Sequence, residues 1–72
     1  MINHILAKTI IIRKVVELIA DNLSIPVAEA RDRLYNSDII DLIDNDETGL
    51  YGESPLYVYS LYMQRNKNEP ID

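Results

Sequence analysis

The spacing of apolar residues between positions 2 and 23 constrains this chain more than any other feature. Ile5, Ile12, Val16, Ile19 and Leu23 recur on one face at about 3.6 residues per turn, with Thr9 and Ala20 beside them. A stripe of this kind is buried as one side of an amphipathic helix. The arc is also wide, because Ile11, Val15 and Leu18 extend it past a single packing stripe, while Leu6 and Ile10 lie toward the charged side. Such a helix needs cover from two directions. It is expected either to be the central element of the fold or to keep part of the arc as an interface.

The segments that follow carry helix punctuation. Ile25-Pro26 ends the first helix, since the residue before proline is driven out of the α region and proline suits a first turn. A second helix is expected over 26–35, with Val27, Ala30, Leu34 and Tyr35 inward and Glu29 four residues before Arg33 as a surface ion pair. Asn36 and Ser37 break it, Asn36 because it accepts left-handed backbone at a helix end. Ser37 or Asp38 then caps a third helix over 38–44, where Ile39, Ile40, Leu42 and Ile43 are apolar. Asp38 and Asp41 fall at the positive end of that helix. Ser54-Pro55 reads as an N-cap and first position of a fourth helix, 55–65. The stretch LYVYSLY at 56–62 has strong β propensity as well, so strand competes, but no second strand-like segment is present to pair with it.

The expected fold class is therefore all-α: a small single-domain bundle of about four helices around a central N-terminal helix. Residues 1–65 form the domain and the polar residues 66–72, which include Pro70, a flexible tail. The expected core includes Ile5, Ile12, Val16, Ile19, Leu34, Ile39, Ile43, Val58 and Leu61. A domain of 72 residues buries only about 60% of its unfolded surface, and without cysteine it has no disulfide or thiolate metal site to add stability. Association with another chain is the remaining source of buried area.

Charge narrows the choice of partner. Twelve acidic residues face seven basic ones, and Asp38, Asp41, Asp44, Asp46, Glu47 and Glu53 lie in a stretch with no Lys or Arg. That segment repels phosphate backbones. The turn at Asn36-Ser37 invites comparison with helix-turn-helix readers, but the would-be recognition helix carries Asp38, Asp41 and Asp44 and no basic residue. Lys8, Arg13 and Lys14 interrupt the apolar run at 2–20, which excludes a signal-peptide core and a bilayer span. A cytoplasmic protein with no nucleic-acid or membrane partner is the expectation.

Residues 44–55, DNDETGLYGESP, look like the front of a calcium loop. Asp44, Asp46 and Thr48 occupy its first, third and fifth positions and Gly49 the sixth, but the twelfth is Pro55, which has no side-chain oxygen, and Glu53 comes two residues early. A calcium-binding loop is thus the weaker alternative to a polar turn in which Asn45 and Gly49 permit positive φ. No metal or cofactor is expected. His4 is the only histidine, and neither a cysteine, a phosphate-binding glycine loop nor a His/carboxylate cluster accompanies it. The chain reads as a non-enzyme.

All five aromatic residues are tyrosines, and Tyr51, Tyr57, Tyr59 and Tyr62 crowd into one block. Tyrosine suits a half-wet surface, because the ring buries while the hydroxyl keeps a partner. Asp38, Asp41, Asp46, Glu47, Tyr51, Tyr57 and Tyr59 together make a candidate surface for a larger basic protein. Leu6, Ile10, Ile11 and Leu18 make the competing surface, which suits a homodimer or other self-associating structural or regulatory assembly.

The blocks IIRKVVELIA at 11–20, IPVAEARDRLYNS at 25–37 and DETGLYGESPLYVYSLY at 46–62 resemble a family of short bacterial proteins of unknown function. The third block is the most specific. The resemblance implies an all-helical cytoplasmic domain with no assigned activity or catalytic residues. Small families of this kind are often encoded beside a larger protein, toxins included, which suggests an antitoxin-like or adaptor role by analogy.

Overall fold

The computed structural model describes residues 4–67. Four α-helices follow one another: α1 (Ile5–Leu23), α2 (Val27–Tyr35), α3 (Asp38–Asp44) and α4 (Pro55–Lys67). Two short 3-10 turns, Asp46–Thr48 and Leu50–Gly52, connect α3 to α4. The described residues contain no strand. The β-prone 56–62 segment is helical because Ser54 caps it, accepting the Tyr57 amide on Oγ at 3.2 Å, and because Val58 and Tyr62, one turn apart, are its buried residues.

Helix α1 is central and touches α2, α3, α4 and the Leu50–Gly52 turn. Its buried residues are Ile11, Val15, Val16, Ile19 and Ala20. Ala30 and Leu34 of α2, Ile39 and Ile43 of α3, Leu50, and Val58 and Tyr62 of α4 complete the core. The wide apolar arc of α1 is thus consumed from two sides. Ile11 faces Tyr51 and Pro55, whereas Ile12 and Val16 face Val27, Arg31 and Tyr35.

Several placements differ from expectation. Ile5 is 66% exposed, because α2, with nine residues and about 14 Å of length, cannot cover a 19-residue helix of about 28 Å. Ile12 and Leu61 pack against the core but are only half-buried. Val27 and Tyr35, expected inward, are 48% and 53% exposed. They flank Arg31 at helical spacing, and α2 buries the neighbouring Ala30 and Leu34 instead. The fourth helix runs on to Lys67, and the rest of the expected tail lies outside the described residues, as does the start of the first helix at position 2.

Local caps set the boundaries. Ser37 Oγ accepts the Ile39 amide at 3.3 Å and opens α3 with Asp38 and Asp41 in the first turn. Asn36 stays at φ −95°; its side-chain amide donates to the Asp32 carbonyl at 2.9 Å, so left-handed backbone is not needed there. Left-handed backbone appears at Ser24 (φ 57°), which ends α1, and at Gly49 (φ 67°) between the two 3-10 turns. Asn45, at φ −81°, is not left-handed.

Candidate functional site

The acidic segment does not present its charges freely. Lys8 reaches it from α1: Nζ lies 2.7 Å from Asp46 Oδ1 and 3.8 Å from Asp44 Oδ1, and donates to the Asp44 carbonyl at 2.8 Å. Its ammonium also sits 5.7 Å from the centre of the Tyr51 ring, and His4, one turn earlier, stacks on that ring at 4.4 Å. The hydrogen bond with Asp46 raises the Lys8 pKa, and the same bond lowers that of the Asp46 carboxyl. At the other end of the segment, Arg65 of α4 pairs with Asp38.

The loop between these pins closes on itself. Asn45 Oδ1 accepts the Glu47 amide at 2.9 Å. The Thr48 hydroxyl donates to the Leu42 carbonyl at 2.5 Å and accepts from the Leu50 amide at 3.2 Å. The Thr48 bonds occupy the one oxygen among these that a calcium loop would turn toward the ion, and the described residues hold no group of three or more His, Asp or Glu placed to grip a metal.

Of the residues expected to bind a basic partner, Asp38 and Asp46 are therefore held in ion pairs, Tyr51 is half-buried beneath His4, and Tyr59 packs against the core. Asp41, Glu47 and Tyr57 remain exposed, the two acids without an ion-pair partner among the described residues. On the competing surface, Leu6 is 70% and Ile10 38% exposed, whereas Leu18 is half-buried and Ile11, at 4%, belongs to the core.

A different surface brings more exposed apolar groups together. Leu6, Ile10, Arg13, Glu17 and Asp21 recur every three or four residues and form the solvent-facing ridge of α1, with Lys14 beside them. On one flank lies a groove of about 400 Å³ between α1 and α2, floored by Ile12 and Val16 and edged by Val27, Arg31 and Tyr35. The other flank is a groove against the start of α4. Ile10, Ile11 and Tyr51 line its first part and Leu18 and Leu56 its second, with Lys14 and Pro55 common to both. The groove thus joins Tyr51, from the first candidate surface, to Ile10 and Leu18, from the second.

Leu6, Ile10, Val27, Tyr35 and Leu56 are five of the seven large hydrophobic residues exposed among the described residues. Sequence reasoning missed the contribution of Val27, Tyr35 and Leu56. The stripe Val27, Arg31, Tyr35, with a charge in its middle, was the available signal. The described residues include no helix long and apolar enough to cross a membrane. No protein-family model, curated protein or solved structure matches the chain, so the resemblance of the 46–62 block rests on its residues alone.

Proposed function

We propose that this chain is a non-enzymatic, cytoplasmic protein-interaction domain whose contact surface is the α1 ridge with its two flanking grooves. One observation carries the reading: five of the seven large exposed hydrophobic residues border that surface. Small soluble domains scatter single apolar residues, whereas exposed apolar residues gathered about two grooves on one face mark a docking face. No metal, cofactor or nucleic acid is needed. Immobilised chain exposed to a lysate of its native host tests the reading. Ile10→Asp combined with Leu56→Asp should abolish specific capture, copies of the chain included, while circular dichroism stays helical. Unchanged capture by the folded variant refutes it.

A larger basic partner, bound in the manner of an antitoxin or adaptor, is the second reading. Asp41, Glu47 and Glu53 favour it, as exposed carboxylates with no ion-pair partner among the described residues. Steering by three such charges speeds and orients encounter more than it adds affinity.

A further inference from the structure

Resting on that reading, we infer that the partner of the α1 face is a second copy of this chain, docked with the two α1 helices antiparallel about a two-fold axis. Charge is the first argument. The chain carries a net charge of −5, yet the ridge and its grooves hold Arg13, Lys14 and Arg31 against Glu17, Asp21 and Glu53. The face is balanced, and a balanced face is where two copies of an acidic protein can meet without repulsion. None of these six side chains has an ion-pair partner among the described residues; the ion pairs that do form there involve Lys8, Arg33 and Arg65.

The order of the charges is the second argument. Along α1 the ridge reads Arg13, Lys14, then Glu17, Asp21. Reversing one helix against another brings the basic half of each copy over the acidic half of its mate. With the axis midway between Lys14 and Glu17, each Lys14 comes level with Glu17 of the second copy, and Arg13 lies within about 4.5 Å along the axis of Asp21 of the second copy. A parallel arrangement would oppose like charges at every step.

Shape agrees with the same register. Ile10 comes level with Asp21 of the second copy, at the groove lined by Leu18 and Leu56. Ile10 thus meets the edge of the other copy's groove beside Asp21. Because the contact is isologous it closes as a dimer and does not propagate.

The test is sedimentation equilibrium of the full chain over a concentration series. Wild type is expected to be a dimer, and Lys14→Glu and Glu17→Lys each to weaken dimerisation roughly tenfold by replacing two symmetric attractions with repulsions. The double variant, and an equimolar mixture of the two single variants, should recover wild-type association. A dimer indifferent to these swaps overturns the register. A wild-type monomer overturns the second copy as partner; if lysate capture is then still lost in the Ile10/Leu56 variant, the interaction-domain reading survives, and if not, both fall. The substitutions lie on exposed positions, and circular dichroism of each variant separates loss of fold from loss of contact.

Discussion

Ile19 and Ile5 lie fourteen residues apart in α1, on the same stripe by helical spacing, yet their environments are opposite. Ile19 is fully buried, at 0% exposure, and Ile5 is 66% exposed. Replacing isoleucine by alanine removes the equivalent of three methylene groups, about 2.4 kcal/mol of transfer free energy when the site is fully buried. At Ile19 the cavity left in the centre of the bundle adds to this, for a total of about 3–4 kcal/mol. At Ile5 only about a third of the transfer term applies, about 0.8 kcal/mol, and alanine's better helix propensity offsets much of it. A 72-residue domain has roughly 4–11 kcal/mol of stability, so Ile19→Ala should consume a large part of it, with a fall of about 12–32 °C in Tm. Ile5→Ala should move Tm by about 5 °C at most. Urea melts followed by circular dichroism at one fixed protein concentration measure both. Equal losses in the two variants would refute the placement of α1 and with it the argument that α2 is too short to cover its first turn.

Two further predictions test the loop and the helix end. Lys8→Met should destabilise the domain most in a pH window: the folded Asp46 pKa is lowered, so its contribution is present above the ordinary carboxylate value and lost as pH falls through the folded one, while the raised Lys8 pKa keeps the pair intact below the ordinary lysine value and loses it as pH rises through the folded one. The gap between wild-type and variant stabilities measured from acid to alkaline pH should therefore narrow toward both extremes, and a gap as wide in strong acid as at neutral pH would count against the pair. Ser24→Gly should stabilise the chain by about 1 kcal/mol, because Ser24 holds φ 57° at the end of α1 where glycine pays no Cβ penalty; a thermal melt reads the shift, and a loss would mean that the Ser24 side chain contributes something the geometry does not reveal.

What was legible in the sequence was local. Ser37, Ser54-Pro55 and Ile25-Pro26 mark three helix boundaries to within a residue or two because a cap or a proline acts on its immediate neighbours. Glu29 and Arg33, one turn apart, pair at 3.0 Å as their spacing implies. The left-handed residue that closes α1 was not legible in the same way. It is Ser24, and neither Asn36 nor Asn45 uses the conformation that asparagine tolerates. The choice among residues able to adopt positive φ is made by how the chain must turn to place α2 on α1, a tertiary demand.

The pairing of the acidic segment has the same origin. Between positions 38 and 53 no basic residue is present, which makes the segment look like an open acidic surface. Folding brings Lys8 to it from 36 residues away and Arg65 from 27, so that the pairs form across helices whose packing is decided by apolar burial. Once Asp38, Asp44 and Asp46 are engaged within the chain, the charges without an ion-pair mate among the described residues are Asp41, Glu47 and Glu53 of that segment together with those that α1 itself displays. A basic residue interrupting the buried side of an amphipathic helix, as Lys8 does, is therefore better read as the mate of a distant acid than as a break in the stripe. By the same logic the residues that interrupt the exposed side, Arg13, Lys14, Glu17 and Asp21, have no mate within the described fold, and their sign order along the helix is what an antiparallel copy would match.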